Sequence, residues 1–159
     1  MLVIGCDPGK SFGLAVLNTD MRSLIFVFQG ESDEALSHLD AQLSARPLSV
    51  PTAVAVEKFI MTPGAGRKAG ASNTAPLVGE VRSITTRYLD VAFAEQTSAD
   101  AARGFPNPLL RRLGLNVTPK RVGQKDANDA NSAVRHALLW VMRNRADIIT
   151  TLMKNVNLT

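Results

Sequence analysis

The fold of this chain is decided by residues 2–17, LVIGCDPGKSFGLAVL. The unbroken apolar run Leu2–Cys6 predicts a strand that is buried on both faces. A proline–glycine turn follows at once, and the second apolar run, 13–17, predicts a strand that pairs back on the first as a hairpin. Asp7 therefore lies at the end of a buried strand, beside a glycine-containing turn. A carboxylate in that place is well positioned to hold a metal ion or to meet a phosphate.

The composition is that of a globular protein with a sizeable core. The sequence has 159 residues, of which 45% are hydrophobic, and we expect a single domain over 1–159. No apolar run approaches the ~20 residues that span a bilayer, so we expect no membrane partner. Asp7 is the first charged residue, so no basic signal-peptide start is visible. The single cysteine, Cys6, excludes an internal disulfide and favours a reducing, cytoplasmic location.

The charge is mildly basic, a net +4 from 18 basic and 14 acidic residues. This balance is compatible with nucleic-acid binding but does not identify it. Basic residues are concentrated in a glycine-rich segment, 62–73, and in the last third of the chain. The glycine-rich segment is predicted to be a mobile surface loop or a plain linker. Candidate contacts to a phosphate backbone, any of which can also be an ordinary solvated charge, are Arg67, Lys68, Arg111, Arg112, Lys120, Arg121 and Lys125.

Further apolar runs predict three more strands. Residues 24–28 are rich in β-forming side chains and complete an antiparallel three-strand meander. Residues 54–56 and 91–94 are short buried strands. Glu57 follows the first of these directly, so it is a second acid at a strand end.

Helical spacing of apolar residues predicts helices between and after these strands. Ser32 is the predicted N-cap of the first helix, and Pro76 is predicted in the first turn of the second. Asp126 and Asp129 are predicted in the first turn of the last long helix, on one side of it. We expect His136, which lies more than a turn beyond Asp129, not to be a ligand.

The four acids Asp7, Glu57, Asp126 and Asp129 converge if the last helix lies close to the sheet, as its small residues 127, 130 and 133 allow. The alternative is that acids in a first helical turn only complement the helix dipole. Converging carboxylates raise one another's pKa and need cations to stay ionised together. Oxygen ligands suit Mg²⁺ or Mn²⁺, and two such ions can activate a water for phosphodiester cleavage.

Three motifs carry a family resemblance. Residues 4–9, IGCDPG, together with Gly13, resemble the opening motif of RuvC-type Holliday-junction resolvases, which belong to the RNase H-like nuclease superfamily. Val56-Glu57 followed by Phe59 resembles the second acidic motif of that family. Residues 126–130, DANDA, resemble its closing Asp-x-x-Asp-Ala helix start.

The resemblance implies an α/β, RNase H-like fold in which helices flank a five-stranded mixed sheet. It implies a metal-dependent endonuclease that acts as a homodimer and resolves four-way DNA junctions by paired nicks. Phe59 and the loop after it are then expected to contact or wedge the junction, and the helix over 73–88 to form the dimer contact. The implied catalytic, metal-binding acids, with Mg²⁺ or a substituting Mn²⁺, are Asp7, Glu57, Asp126 and Asp129.

The chain departs from the bacterial pattern of that family at three places. The loop after Glu57 is richer in glycine and basic residues, and the aromatic Phe59 comes one position earlier than usual. In the last helix start, Asn128 and Asn131 replace smaller or apolar residues. Such divergence is similar to phage-encoded members, for which the location is the host cytoplasm. These members can accept branched DNA more broadly than four-way junctions.

Four alternatives to a strict resolvase stay open. The first is a nuclease of broader specificity for branched or flap DNA, and the second is an RNase of the same superfamily. The third is a nucleotide-binding domain of the actin and sugar-kinase type, whose phosphate loop resembles residues 5–16. That class needs a second, similar domain, for which 159 residues leave no room. The fourth is a non-catalytic DNA-binding module, which gains nothing from facing phosphates with carboxylates.

Overall fold

The computed structural model describes residues 1–9, 11–60, 71–118 and 126–154, with the backbone alone at 71–73. Within these residues three strands come first, two further strands alternate with helices, and four helices follow the last strand. The strands are β1 (Leu2–Asp7), β2 (Phe12–Asn18), β3 (Ser23–Gly30), β4 (Thr52–Glu57) and β5 (Val91–Gln96). The helices are α1 (Ser32–Ala45), α2 (Ala71–Thr86), α3 (Ser98–Gly104), α4 (Asn107–Arg112), α5 (Asn128–Asn144) and α6 (Ala146–Lys154). No helix in these ranges is both long and apolar enough to cross a lipid bilayer.

The strands form one five-stranded sheet in the order β3-β2-β1-β4-β5. The β1–β2 and β2–β3 pairs are antiparallel, whereas the β1–β4 and β4–β5 pairs are parallel. The predicted meander and the predicted mixed sheet are therefore confirmed. Because β1, β4 and β5 run in the same direction, their carboxyl ends meet at one edge of the sheet. Asp7, Glu57 and Gln96 end these three strands side by side.

Both faces of the sheet are covered by helices. Val3 and Ala55 point toward α5 and belong to one apolar cluster with Ala133 and Leu138. Alternate residues such as Ile4 belong to a second cluster on the opposite face, built with leucines of α1 and with apolar residues of α2. Burial on both faces explains why β1 is an unbroken apolar run rather than an alternating one.

Helix α5 lies directly against the backbone of β1 and β2. A Cβ atom added to Gly5 would lie 1.8 Å from the carbonyl oxygen of Ala133, and one added to Gly13 would lie 2.1 Å from that of Asp129. No side chain can stand between helix and strand at these two points. Since Gly13 pairs with Asp7 across the β1–β2 hairpin, the start of α5 is held over the strand end that carries Asp7.

Two predicted helix starts are wrong. The N-cap of α1 is Glu31, whose backbone is extended and makes no side-chain capping bond, and Ser32 is already helical. Pro76 lies inside α2, which begins at Ala71. Proline has a helical φ, but inside a helix it removes one backbone hydrogen bond and its ring crowds the carbonyl of residue i−4, so this position is less favourable than the predicted one in the first turn. Helix α3 does have a side-chain cap, because the Thr97 side chain accepts a hydrogen bond from the Asp100 backbone N–H.

The close approach of α5 predicts that Gly5→Ala is severely destabilising. The new methyl group can be accommodated only if α5 moves away from the sheet. Overpacking of this kind lowers the free energy of unfolding by about 3 kcal/mol. We expect urea denaturation to show that loss in the free energy of unfolding. The matched control is Gly79→Ala on the exposed side of α2, where an added Cβ meets nothing within 4 Å. That variant should gain up to about 1 kcal/mol from helix propensity. Equal stability of Gly5→Ala and the wild type would contradict the packing described here.

Candidate active site

Asp7 and Glu57 form the centre of the candidate site. They end two neighbouring parallel strands, and the β1–β4 register pairs the residues just before them, Cys6 with Val56. Each carboxyl group shifts the pKa of the other, so we expect the pair to hold one proton between them at neutral pH.

The shared proton belongs chiefly to Asp7. Burial of its carboxyl group, followed by the hydrogen bond to Glu57 and the charge of Glu57, raises the pKa of Asp7 to about 8, against a smaller opposing effect of Ser132. Burial also acts to raise the pKa of Glu57, but the ring of His136 and the bond from Asp7 outweigh it and hold that pKa below its usual range. At neutral pH the metal-free pair thus carries about one negative charge.

Asp129 and Asp126 approach this pair from the start of α5. Burial raises the pKa of Asp129, and the charges of Asp126 and Glu57 raise it further, against a lowering by Ser11. The charge of Asp129 in turn acts on Asp7. Three of the four predicted acids, Asp7, Glu57 and Asp129, are therefore within electrostatic reach of one another.

The sequence predicted Asp126 in the first turn of α5, but the structure places it before the helix. The helix begins at Asn128 after an N-cap, Ala127, whose backbone has φ −123° and ψ 36°. Asp126 is exposed before this cap and accepts a hydrogen bond from the Asn128 backbone N–H at 3.2 Å. It is the most peripheral of the four acids and acts on the cluster through Asp129.

The start of α5 is capped by a residue that sequence reasoning missed. Ala127 has no side chain that can accept a hydrogen bond, so the cap comes from Gln29 at the end of β3. Its Oε1 accepts from the Ala130 backbone N–H at 3.0 Å, and its Nε2 donates to the Asp126 carbonyl at 3.4 Å. These bonds join the helix start that carries the acids to the meander.

His136, which was expected not to be a ligand, has its ring beside Glu57. The side chain is 0% exposed, and its Nε2 lies 3.8 Å from Oε2 of Glu57. The helix crosses the sheet from β2 toward β4, so a residue far from Asp129 along the helix can still lie close to another acid. His136 is thus more than a turn away from Asp129 and still adjacent to another acid.

A divalent cation would find oxygen donors here, but not a finished site. Among the described residues, no group of three or more His, Cys, Asp and Glu side chains is already arranged to hold a metal ion. The donor set nevertheless fits such an ion, because the carboxyl groups of Asp7 and Glu57 end neighbouring strands and offer oxygen donors side by side. Oxygen ligands of this kind suit Mg²⁺ or Mn²⁺, and binding would release the proton.

An open pocket of about 520 Å³ lies next to the acids. Asp7 and Glu57 form part of its wall, together with Phe59, Ile60 and Ser98. Phe59 is half-buried and packs against the second apolar cluster, whereas Ile60 is 52% exposed. Ile60 therefore presents more apolar surface to a ligand than Phe59 does.

The basic candidates are only partly visible. Arg111 and Arg112 are exposed in the last turn of α4. Lys58, which the sequence reasoning did not single out, is exposed at the wall of the pocket. The predicted backbone contacts that lie outside the described residues are Arg67, Lys68, Lys120, Arg121 and Lys125.

The comparison with solved structures identifies the fold. The chain is similar to T. thermophilus RuvC in complex with a Holliday junction substrate, with a TM-score of 0.60 and 19% sequence identity over 90% of this chain and 95% of that chain. No family model matches the chain, and no curated protein does. At this identity the likeness shows the fold, and the predicted RuvC-like, RNase H-like fold is confirmed.

The proton on Asp7 predicts an unusual dependence of stability on pH. An unfolded aspartate loses its proton near pH 3.8, whereas the folded protein keeps it to about pH 8. The folded state binds more protons between these values, so stability falls as pH rises through this window. We expect the melting temperature in EDTA to fall from pH 5 to pH 8.

The Asp7→Asn variant should lose most of that fall, and at pH 8 without metal it should melt above the wild type. Asp33→Asn, on the exposed side of α1, is the matched control and should keep the wild-type slope. Identical slopes for the wild type and Asp7→Asn would show that Asp7 holds no such proton.

Proposed function

We propose that this chain is an endonuclease that cleaves phosphodiesters in branched DNA and resolves four-way junctions by paired nicks. The observation that carries the proposal is the placement of two partly buried carboxyl groups, Asp7 and Glu57, at the ends of neighbouring parallel strands in a RuvC-like fold. A fold alone does not determine function, so the argument rests on the chemistry of this pair.

A non-catalytic DNA-binding module would not be built in this way. Carboxylates repel phosphates, and burying them together costs free energy that a plain binding surface avoids. Exposed arginines and lysines suffice to bind a DNA backbone. Buried acids at the wall of an open pocket are instead typical of a site where cations and phosphates meet.

The proposed cofactor is Mg²⁺, for which Mn²⁺ can substitute. When bound, the ions would supply an activated water and would stabilise the charge on the leaving oxygen. Asp7, Glu57 and Asp129 would hold them, and Asp126, beside Asp129, would extend the ligand set. Asp7 gives up its proton on binding, so occupancy should improve as pH rises toward 8.

Other residues of the pocket would orient the DNA. Lys58 can contact a phosphate, and the apolar surface of Ile60 and Phe59 can pack against a sugar or an unstacked base at the branch point. Arg111 and Arg112, with the predicted basic residues of the two segments around 62–73 and 120–125, would bind the backbone. Affinity should then fall steeply with added salt.

Paired nicks require two sites, so we propose that two copies of the chain act together. A homodimer presents one acidic cluster to each of two opposing strands, and α2 is the proposed contact between the copies. We propose that residues 1–159 form one nuclease domain that acts in the cytoplasm. If the chain is phage-encoded, this is the cytoplasm of the host.

The test uses labelled four-way, flap and linear duplex DNA, incubated with Mg²⁺, Mn²⁺ or EDTA. We expect symmetric nicks on the four-way junction with either metal and none in EDTA. Asp7→Asn and Glu57→Gln should each lower the cleavage rate by about 100-fold or more. Loss of a residue that only orients a metal ligand already lowers metal affinity or activity by about 10–100-fold. The control Asp33→Asn should cut at the wild-type rate.

Each other outcome has a distinct meaning. Comparable cutting of flaps and junctions would support the broader branched-DNA nuclease, and cutting of RNA instead would support an RNase of the same superfamily. Undiminished cutting by Asp7→Asn would refute the site. Tight ATP binding without any cutting would favour the nucleotide-binding alternative.

A further inference from the structure

His136 is the one histidine of α5, and it occupies a position that packing alone would give to an apolar residue. Its neighbours along the buried face of the helix, such as Ala133 and Leu139, belong to the core. The imidazole is completely buried, and its Nε2 has no hydrogen-bond partner among the described residues. Leaving a buried polar atom without a partner is unfavourable, so this side chain calls for an explanation beyond packing.

The other ring nitrogen of His136 is held by Gln96, the last residue of β5. The Gln96 side chain is buried as well. Only one orientation of its amide suits the surroundings: its nitrogen then donates to Nδ1 of His136 at 3.2 Å and to the His136 carbonyl at 3.0 Å, and its oxygen accepts from the Trp140 backbone N–H at 3.1 Å. In the opposite orientation, oxygen would face the carbonyl oxygen and nitrogen would face the N–H.

This orientation determines where the proton of the neutral imidazole lies. If Nδ1 accepts a hydrogen bond from Gln96, the ring proton is on Nε2. That N–H faces Oε2 of Glu57 at a nitrogen–oxygen distance of 3.8 Å. The distance is too long for a hydrogen bond, and closing it requires the Glu57 carboxylate to turn toward the ring.

We propose that His136, with its tautomer fixed by Gln96, is a positioning residue that orients the Glu57 carboxylate for a divalent cation. The proposal rests on the proposed function in one respect, namely that Glu57 is a cation ligand. A carboxylate has two oxygens, so Glu57 can accept from His136 through Oε2 and turn its other oxygen toward Asp7. With Oε2 held in this way, the His136 N–H keeps the Glu57 carboxylate from rotating away from a cation bound at the two acids.

Orientation of a ligand by a buried outer partner is a general device of metal sites, and loss of such a partner typically lowers affinity by 10–100-fold. Here the chain of contacts runs from the backbone of α5 through Gln96 and His136 to Glu57. It joins two strand ends of the sheet to the helix, so the position of Glu57 depends on the packing of α5.

The first experiment measures the tautomer in the metal-free protein, independently of any activity. The sequence has two histidines, so a His38→Gln variant leaves a single ring to observe. His38 packs on Phe26 and Phe28 and is not part of the site. Two-bond ¹H–¹⁵N spectra at a pH where the ring is neutral should show the proton on Nε2. A proton on Nδ1 would overturn the inference.

The second experiment measures Mn²⁺ affinity by electron paramagnetic resonance, without DNA. His136→Phe keeps the ring volume but removes the N–H, and we expect it to weaken Mn²⁺ binding by about 10–100-fold. His136→Gln places an amide N–H near the position of Nε2 and should recover most of the affinity. The matched control His38→Phe should bind Mn²⁺ like the wild type.

Comparing the Glu57 and His136 variants separates this inference from the proposed function. If Glu57→Gln weakens Mn²⁺ binding but His136→Phe does not, the positioning role is wrong and the nuclease proposal stands. If Glu57→Gln leaves binding unchanged, the nuclease site itself is wrong, whatever the tautomer. Should His136→Phe fail to fold, Gln96→Leu makes the same comparison, because it keeps the imidazole but no longer fixes its proton. Wild-type Mn²⁺ affinity in a folded Gln96→Leu would overturn the inference.

Discussion

The whole site depends on how closely α5 lies against the sheet. At Gly5 and Gly13 the helix backbone touches the strands directly, with carbonyl oxygens where side chains would otherwise be. This contact fixes the height of the helix above β1 and β2, and its direction carries it on toward β4. Asp129 is thereby held near Asp7, and His136 near Glu57. A helix held farther away by even one methyl group would separate the acids that came from different parts of the chain.

The second consequence of this packing is a store of unfavourable electrostatic energy. Asp7, Glu57 and Asp129 are drawn together in a partly buried place, which raises the pKa of Asp7 to about 8 and the pKa of Asp129 above its usual range. Stability and function therefore make opposite demands at this edge of the sheet. Real proteins violate the rules of good packing mainly at functional sites, and this cluster is the clearest violation in the described part of the chain.

The sequence was sufficient to predict the sheet and most of the acidic cluster, because both follow from local patterns. An unbroken apolar run that ends in an acid identifies β1 and Asp7, and the same pattern identifies Glu57. The predicted position of Asp126 inside the helix was wrong, because the helix begins only after Ala127, whose side chain gives no capping signal in the sequence. The contacts of Gln29 with Ala130 and of Gln96 with His136 could not be foreseen, because they join residues 101 and 40 positions apart. Such contacts depend on topology, which no local pattern records.

The central claim, that Asp7 and Glu57 are built to hold a divalent cation in place of a shared proton, is tested most directly by crystals soaked in Mn²⁺ at pH 8. Anomalous scattering locates manganese without reference to activity or DNA. We expect an anomalous peak whose distance to carboxylate oxygens of Asp7 and Glu57 is about 2.0–2.3 Å. Asp129 should be turned toward the same ion or a second one. Manganese bound only elsewhere, with Asp7 and Glu57 still hydrogen-bonded to each other, would contradict it.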